Sequence, residues 1–381
     1  MTLREHIQSL IRREGPTPFS RFMELCLYGD PGQGVGGYYT GTGEQFGKAG
    51  DFYTSSDVHA LFGRLLSRQF QQMWQCLGSP DRLELIELGP GRGLFAQDVL
   101  DWSEKKFPEF FAALHYTLVE ISPSLRARLE EGFQQRTAAN KVSITDRFPT
   151  LASASTFIVF ANEFLDALPV EVVSTEGQLH IGLREERLAE VFLPTSPKVL
   201  EYLDRFSVQP EPEERLEAGS AAMEKFAEIA ASLQGKGFLL FIDYGYTREE
   251  QLAGRHRGTL KSIRRHSITA SPYDNPGEQD ITADVNFTAI AAAAQSAGLD
   301  MLGLVTQAQF LIGIGEVNQF ADAFEECRLP QEHAKVALQL KHLATPAGMG
   351  ERFHVLVLGK GVSKEQSAEL GGLTFSRIEI L

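Results

Sequence analysis

Short, nearly continuous apolar runs alternate with longer helix-like stretches along most of this chain. Such runs are typical of strands buried on both faces, because a half-exposed strand would alternate apolar and polar positions. The runs predict seven strands: Leu83–Leu88, His115–Glu120, Lys141–Thr145, Thr156–Ala161, Phe238–Asp243, Leu299–Thr306 and Phe353–Leu358. The intervening stretches predict helices: Leu94–Lys106, Pro123–Gln135, Ala283–Ala297 and Phe320–Leu343. This order predicts an α/β fold with a seven-stranded, mostly parallel sheet covered on both faces.

Three regions interrupt the alternation. Residues 1–82 precede the sheet and include a stretch rich in glycine and tyrosine. Residues 170–235 predict a hairpin, Val170–Ser174 followed by Gln178–Leu193, and then helical segments. Residues 244–282 are polar, contain Gly and Pro, and predict a long loop. A loop of that length in a compact domain is usually functional or disordered.

Composition narrows the class of protein. The 381 residues are 43% hydrophobic and 23% charged, as in ordinary globular proteins, and no apolar run reaches the 18 residues that suggest a membrane span. The first twenty residues lack the apolar centre of a signal peptide, so we expect a cytoplasmic protein, or a mitochondrial matrix protein if this is a processed eukaryotic form. The three cysteines show no zinc-ligand spacing, and the net charge of −14 argues against nucleic-acid binding.

The segment that points most directly to chemistry runs from Glu87 to Gly93, with the pattern E-x-G-x-G-x-G. It follows a predicted strand and precedes a predicted helix, an arrangement in which the backbone approaches a nucleotide-like ligand. The leading carboxylate suits the ammonium of S-adenosylmethionine (SAM), whereas it would repel a pyrophosphate. An ordinary glycine-rich turn is the alternative. We predict cofactor contacts by Glu87, Gly89, Pro90, Gly91 and Gly93.

Carboxylates follow several predicted strand ends, and ligands of open parallel sheets bind beyond those ends. Glu120 lies 33 residues after Glu87 and is expected to accept hydrogen bonds from ribose hydroxyls. The usual spacing in dinucleotide sites is about 20 residues, which weakens an NAD(P) interpretation without removing it. A solvent-exposed Glu120 is the alternative.

The segment after the fourth strand carries Asn162, Glu163 and Asp166. If a helical turn begins there, the two carboxylates lie three apart on one face and form a negatively charged acceptor pocket beside the methyl donor. Alternatively, both acids merely favour a helix N-terminus through its dipole.

Several segments together resemble the MidA-like, NDUFAF-seven-type class I methyltransferases. They occur in family order over roughly residues 20–360, and the NEFxDALPV and PGExDxT segments are the most specific. The resembling segments are Leu27–Tyr28, Gly37–Tyr39, Gly50–Ser55, Phe62–Gly63, Glu87–Gly93, Val119–Arg126, Ala161–Val170, Ile242–Tyr246, Gly258–Leu260, Pro276–Thr282 and Thr306–Gln307. The family pattern after PGExDxT usually reads A-H-V-D-F, and this chain departs from it at Asp284 and Asn286.

The resemblance implies a Rossmann-like class I fold and SAM-dependent methylation, with S-adenosylhomocysteine as product. In eukaryotic members the acceptor is an arginine on a protein, modified during assembly of respiratory complex I. The expected organisation is an extension at 1–82 covering the cofactor site, a SAM-binding core at 83–169 and 236–381, and an inserted substrate or dimerisation region at 170–235. The inserted region would allow two copies of the protein to form a homodimer.

We therefore expect a protein-arginine methyltransferase in which Glu163, and second Asp166, hold the guanidinium. Thr54, Ser55 and Asn162 are expected to close the cofactor site, and the reaction requires no metal. A SAM-binding assembly chaperone with little turnover and an NAD(P) oxidoreductase are the competing hypotheses. The sequence leaves the substrate protein, the number of methyl groups and the oligomeric state open.

Overall fold

The computed structural model describes residues 1–41, 60–264, 267–269, 271–345 and 348–376. Its strands are β1 (Thr17–Pro18), β2 (Leu83–Leu88), β3 (Leu114–Val119), β4 (Val142–Thr145), β5 (Thr156–Asn162), β6 (Glu171–Ser174), β7 (Gly177–Arg184), β8 (Arg187–Leu193), β9 (Leu216–Ala218), β10 (Lys236–Tyr246), β11 (Lys261–Arg264), β12 (Ser267–Ile268), β13 (Asp280–Thr282), β14 (Val285–Asn286), β15 (Asp300–Thr306) and β16 (Phe353–Lys360).

The α-helices of the described residues lie mainly between these strands. They are α1 (Leu3–Glu14), α2 (Phe19–Tyr28), α3 (Ala60–Cys76), α4 (Leu94–Lys106), α5 (Pro108–Ala113), α6 (Pro123–Gly132), α7 (Gln134–Ala138), α8 (Pro197–Phe206), α9 (Ser220–Ala231), α10 (Arg248–Leu252), α11 (Phe287–Ser296), α12 (Gln307–Glu316), α13 (Ala321–Phe324), α14 (Pro330–Ala344) and α15 (Lys364–Ser367). None of the helices in the described part of the chain is both long and apolar enough to cross a membrane.

The described residues form two compact units. The first unit contains residues 1–41, 164–226 and 245–293, and the second, called here the sheet unit, contains 60–163, 227–244 and 294–376. The units thus divide the chain differently from the predicted organisation, because α3 clusters with the sheet and residues 245–293 cluster with the first unit. The predicted roles of the extension and the insertion stay predictions.

The main sheet confirms the predicted α/β architecture. Its strand order is β15-β16-β10-β5-β2-β3-β4, and all seven predicted strands are present. Neighbours from β10 to β4 are parallel, whereas β16 runs antiparallel to both β10 and β15. Side chains on both faces of the central strands are buried, as the continuous apolar runs predicted: Phe238, Leu239, Leu240 and Phe241 are all at most 1% exposed. Because the central strands are packed on both faces, the positions of their ends are well defined.

The first unit has its own core, built between helices and a smaller sheet. In that sheet β7 pairs with β1, β6 and β8, all antiparallel. The apolar faces of α1 and α2 pack in the same core as residues of β6 and β7. Cys26 of α2 is fully buried in this core, and burial raises the pKa of its thiol to about 12.

Three local predictions were wrong. The segment Gln178–Leu193 contains two strands rather than one, because the chain turns at Glu185 and Glu186, whose φ angles of 50° and 63° lie in the left-handed region. Two-residue hairpin turns of this kind favour Asn-Gly, so a Glu-Glu pair gave no turn signal. Residues 244–282 are not one loop, because they contain α10 and the three-stranded sheet β12-β11-β13. The predicted helix Phe320–Leu343 is interrupted between α13 and α14.

Candidate functional site

The glycine segment forms a sharp turn between β2 and α4. Gly89, Gly91 and Gly93 have φ angles of 64°, 53° and 74°, a region that side chains with a Cβ rarely adopt. The Gly93 N–H donates to the Pro90 carbonyl over 2.8 Å and closes the turn. A Cβ at Gly93 would lie 2.6 Å from Leu129 and 2.7 Å from Phe133. The turn therefore requires glycine for both backbone angle and packing.

Glu87 is the last buried carboxylate before this turn. Glu87 is only 5% exposed, and its carboxylate accepts a hydrogen bond of 2.9 Å from the Tyr116 hydroxyl. Burial raises the pKa of Glu87 to about 8, against the opposing effect of the Tyr116 hydrogen bond; the neighbouring Glu120 charge raises it further. Among the described residues no cation is paired with Glu87, and a buried carboxylate in that setting favours an incoming positive charge.

Glu120 follows β3 and contacts the same turn. Its carboxylate accepts a 2.8 Å hydrogen bond from the Ser122 N–H, and the Gly91 N–H also donates to it. Burial raises the pKa of Glu120, while these N–H groups act in the opposite direction. The alternative of a solvent-exposed Glu120 is wrong, since the residue is 6% exposed. Its neighbour Ile121 is 49% exposed, which is unusual for an isoleucine beside a buried acid.

Asn162 and Glu163 lie at the end of β5 in the sheet unit. The Asn162 Nδ2 donates to the Glu163 carboxylate over 3.1 Å, and the Glu163 N–H donates to the Ile242 carbonyl over 2.9 Å. Among the described residues, none donates a hydrogen bond to the buried Asn162 Oδ1. Glu163 has a φ of 52°, and non-glycine residues held in this region are often found at functional sites.

The helical turn predicted for this segment is wrong. Residues 163–168 form bends and turns but no helix, and Glu163 itself has a left-handed backbone. Asp166 also falls in the first unit, whereas Glu163 falls in the sheet unit. The argument that one helical face carries both carboxylates therefore does not hold, and a shared role for them stays a prediction.

Asp166 belongs to a cluster of ionisable groups in the first unit. Burial and the nearby charge of Asp284 raise the pKa of Asp166, and the Ala283 N–H donates to its backbone carbonyl over 3.1 Å. Asp284 itself is paired with His256 Nδ1 at 3.0 Å and with Lys261 Nζ at 3.3 Å. Burial raises the pKa of Asp284, but these partners outweigh burial and leave the pKa below its usual value.

A small cavity of about 20 Å³ adjoins this cluster and is lined by Glu217, Tyr246, Asp284 and Asn286, among others. That volume suits a single water molecule, not an arginine side chain. Across the described segments, no three His, Cys, Asp or Glu side chains are grouped to hold a metal ion.

A profile of S-adenosyl-L-methionine-dependent methyltransferases matches residues 65–305 of the chain. The chain belongs to this methyltransferase family. The match spans β2 to β15 and so includes the glycine turn with Glu87 and Glu120. The enzyme is a SAM-dependent methyltransferase, and the NAD(P) hypothesis is set aside.

The methyltransferase is also similar to named proteins over nearly its whole length. The protein arginine methyltransferase NDUFAF7 homolog, mitochondrial, of Drosophila melanogaster is 27% identical, over 95% of this chain and 85% of the relative. The protein arginine methyltransferase NDUFAF7, mitochondrial, of Danio rerio is 28% identical, over 92% of this chain and 85% of the relative.

A solved structure agrees with the fold. A COG1565 superfamily protein from Burkholderia thailandensis, bound to S-adenosyl-homocysteine, superposes with a TM-score of 0.82 at 28% identity. The alignment covers 100% of this chain and 96% of the other. The predicted family resemblance, the class I fold and the SAM cofactor are therefore confirmed.

The residues of the glycine turn fit this cofactor. Glu87 offers a buried carboxylate for the ammonium, and Glu120 offers one for the ribose hydroxyls, each beside backbone with left-handed glycines. Sequence reasoning missed Tyr116, whose hydroxyl orients Glu87, because the link depends on the pairing register of β2 and β3. Thr54 and Ser55 lie outside the described residues. Their cofactor contacts stay predictions, as do those of Glu87, Glu120, Asn162, Pro90 and the glycines.

The two departures from the family pattern have different structural settings. Asn286 caps α11, because its Oδ1 accepts from the Ala289 N–H over 3.1 Å while its Nδ2 donates to the Phe206 carbonyl over 2.7 Å. Asp284, in contrast, pairs with His256 and with the Lys261 ammonium. Asn286 thus has a local structural role, whereas Asp284 carries charge in the cluster.

Proposed function

We propose that this methyltransferase transfers a methyl group to a guanidinium nitrogen of arginine on a protein. The similarity to proteins named as arginine methyltransferases supports this acceptor, because it extends over more than nine-tenths of the chain. The observation that supports the donor side is the buried pair Glu87 and Glu120, which lie beside the same glycine turn. A carboxylate pair in that setting complements a cationic nucleoside.

Different residues of the sheet unit bind different parts of the methyl donor. Glu87 orients the ammonium of the methionine part, and Glu120 accepts the ribose hydroxyls. The backbone of Gly89, Pro90, Gly91 and Gly93 comes close to the ligand because no side chain intervenes. Exposed Ile121 supplies an apolar surface beside the ribose site. Asn162, Thr54 and Ser55 close the site.

When bound, SAM supplies a methyl group on a sulfonium. The acceptor nitrogen attacks the methyl carbon in line with the carbon–sulfur bond, and the thioether leaves. The protein contributes mainly position, and alignment at near-contact distance can lower such a barrier by roughly 7–11 kcal/mol. Arginine makes position especially important, since its guanidinium stays protonated and its lone pairs are delocalised. A carboxylate facing the guanidinium fixes its plane and holds the charge on the far nitrogens.

Glu163 is our first choice for that carboxylate. Its left-handed backbone and its hydrogen bond from Asn162 hold it in one orientation at the end of β5. Asp166 is the second choice. The remaining features are proposed on the resemblance. Residues 1–82 cover the cofactor site, residues 170–235 dock the substrate or a second copy, and the substrate is a respiratory-complex subunit. We place the reaction in the cytoplasm or, for a mitochondrial form, in the matrix, the compartment in the relatives' names.

Tritiated SAM tests the acceptor directly. The purified protein is incubated with an extract from host cells that lack it, and labelled proteins are hydrolysed and examined by mass spectrometry. We expect label in methylated arginine. Label confined to another residue, or none at all while S-adenosylhomocysteine binds tightly, would refute the arginine proposal; the second result would favour an assembly chaperone.

Two variants test the assignment of Glu163. Glu163→Gln keeps the shape but removes the charge, so we expect at least a 100-fold slower transfer with little change in S-adenosylhomocysteine binding. Glu130→Gln, on an exposed face of α6, is the matched control and should behave as wild type. Equal rates for both variants would remove Glu163 from the mechanism.

A further inference from the structure

Phe62 and Gly63 lie in the first turn of α3, in the sheet unit, outside the glycine turn that is proposed to bind the donor. We propose that Gly63 is a positioning residue for the methyl donor. Because it has no side chain, α3 packs closely on α4, and this contact holds the glycine turn in the shape that binds SAM. The inference rests on the proposed binding of SAM by that turn.

The backbones of α3 and α4 approach each other closely at Gly63. A Cβ built on Gly63 would lie 2.5 Å from the Cβ of Asp98 and 3.5 Å from the Val99 nitrogen, both on α4. Carbon atoms in contact are normally about 3.5–4.0 Å apart. The Asp98 Cβ is bonded to the backbone and cannot rotate away, as the end of a long side chain can. A methyl group at position 63 therefore has to move the two helices apart by about 1 Å.

A buried hydroxyl lies at the same crossing of the two helices. Ser67, one turn after Gly63, is fully buried, and its hydroxyl donates to the Gly63 carbonyl over 2.7 Å. The hydroxyl also lies within hydrogen-bond distance of the Val99 carbonyl of α4, at 3.4 Å. Separation of the helices would lengthen this second contact, in a place that water does not reach.

The contact with α3 is close to the start of α4, and α4 starts at the glycine turn. Leu94, the first residue of α4, follows Gly93 directly, and the Gln97 N–H donates to the Gly93 carbonyl over 3.0 Å. Asp98 is the next residue, so about 7.5 Å of continuous helix separates it from the turn. A displacement of α4 at Asp98 therefore also displaces the turn.

An aromatic cluster connects α3 to the same region by a second route. Phe62 packs on Phe95 of α4 with ring centroids 5.6 Å apart, and Phe95 stacks on Phe160 of β5 at 4.5 Å. Phe160 is paired in register with Glu87 of β2. The three rings are at most 2% exposed, and such dense packing leaves them little room to adjust to a displaced helix.

A glycine that only fills space would respond differently to substitution. Glycine within a helix is unfavourable relative to alanine, so Gly63→Ala would stabilise the protein if the crossing relaxed freely. Gly132 supplies the matched control, because it is the exposed last residue of α6 and no atom lies within 4 Å of a Cβ built on it. Gly132→Ala makes the same change without a close contact.

Gly63→Ala tests the proposal directly. Substitutions that do not touch a ligand can change its affinity by about 2- to 30-fold, and we expect S-adenosylhomocysteine to bind about tenfold more weakly to this variant. Isothermal titration calorimetry measures the affinity at a temperature where every variant is folded. Gly132→Ala should bind as tightly as wild type.

Two double variants separate the close contact from other effects of the substitution. Asp98→Gly removes the Cβ that the new methyl group would meet, so Gly63→Ala/Asp98→Gly should recover affinity to within about threefold of wild type. Gly63→Ala/Asp98→Ala lacks the same carboxylate but keeps that Cβ, and it should bind as weakly as Gly63→Ala alone. A merely structural loss of stability would not be reversed by a second glycine, which itself weakens α4.

Phe62→Leu provides a measurement that does not depend on the folding of Gly63→Ala. It reduces the contact with Phe95 and introduces no clash, so we expect about threefold weaker binding of S-adenosylhomocysteine. If Gly63→Ala does not fold, Phe62→Leu and the double variant with Asp98→Gly decide the question, and wild-type affinity in Phe62→Leu overturns the proposal.

The remaining outcomes distinguish this inference from the proposed donor site. Unchanged affinity in folded Gly63→Ala, or equal weakening in both double variants, overturns the role of Gly63. If Glu120→Ala loses affinity while Gly63→Ala keeps it, the donor site stands and only this inference fails. If Glu120→Ala binds S-adenosylhomocysteine as tightly as wild type, the glycine turn is not the donor site and the inference fails with it.

Discussion

Glu87 and Glu120 in the sheet unit and Asp284 in the first unit are carboxylates largely removed from water, but different partners hold them. Glu87 and Glu120 accept from a tyrosine hydroxyl and from backbone N–H groups. Asp284 pairs with His256 and Lys261. Burial therefore keeps the pKa of the first two raised, while the hydrogen bond from His256 and the charge of Lys261 bring the pKa of Asp284 below its usual value.

This difference distinguishes two kinds of buried carboxylate. Glu87 and Glu120 need a positive charge from the ligand, whereas Asp284 already has a counter-ion within the protein. A buried acid surrounded by neutral donors gains most from a cation that arrives with the ligand. An acid that is already paired can orient its partner instead. We expect mutations in the two regions to affect different measurements, which the following variants test.

The largest expected effect is on cofactor affinity. Glu120→Ala should weaken S-adenosylhomocysteine binding at least about 100-fold, because lost hydrogen bonds to a charged group are worth about 1.5–3 kcal/mol each. Asp284→Asn should stay within about threefold of wild type. Isothermal titration calorimetry measures both. If Asp284→Asn loses as much affinity as Glu120→Ala, the separation of the two regions is wrong.

Glycine replacements compare the loops that carry the two sets of acids. Gly93→Ala should lower the free energy of unfolding by about 2–3 kcal/mol, since the new Cβ combines an unfavourable φ with close contacts to Leu129 and Phe133. Gly258→Ala, with a φ of 80° but only a 3.1 Å approach to the Arg215 carbonyl, should cost about 1–2 kcal/mol. Denaturant titration gives both values; the reverse order would contradict the packing argument.

Cofactor affinity should also depend on pH through Glu87. Its pKa of about 8 means that the carboxyl is mostly protonated below neutrality, so binding an ammonium must release a proton. SAM affinity should therefore rise about tenfold between pH 6 and 7, where the amino group of the ligand remains charged. Glu87→Gln should abolish that slope. Calorimetry in buffers of different ionisation enthalpy counts the proton, and a flat wild-type profile would sink the assignment.

The smallest effect concerns the stability that Asp284 contributes. A lowered folded-state pKa stabilises the protein above the unfolded pKa of about 3.9, and this stability is lost as pH falls through the folded value. Asp284→Asn should therefore cost about 1 kcal/mol at pH 7 and progressively less as pH falls below about 3.9, the size being modest because Lys261 is 43% exposed. Exposed Asp274→Asn is the control. An equal cost at both pH values would point to packing instead.

The sequence predicted most of the main sheet and the glycine turn after β2. Continuous apolar runs located seven of the eight strands of the main sheet, because a strand buried on both faces leaves a clear pattern. The eighth, the two-residue β14 beside β10, lies within the predicted helix Ala283–Ala297. Glu87, Glu120 and the glycines were identifiable since a turn with left-handed backbone leaves a glycine signature. Glu185, Glu186 and Glu163 show the limit: each has a positive φ that tertiary contacts impose on an ordinary residue.

Long-range pairing was also beyond the sequence. His256 and Asp284 are 28 residues apart, in segments with no regular period, so nothing local indicated that they meet. Tyr116 could have been linked to Glu87 only by knowing that β2 and β3 are neighbours in register. The pattern of apolar residues and glycines in a sequence identifies helices, strands and glycine turns. Pairs of charged side chains depend on the tertiary fold, so that pattern does not identify them.

The fully buried Cys26 can be used to measure how often the first unit opens locally. With its thiol inside the core and its pKa near 12, it can react with an alkylating reagent only when the surrounding helices separate. Cys76 and Cys327 are partly accessible and can be replaced by serine. The alkylation rate of the remaining thiol would then report how often the first unit opens, with and without cofactor, independently of any catalytic assay.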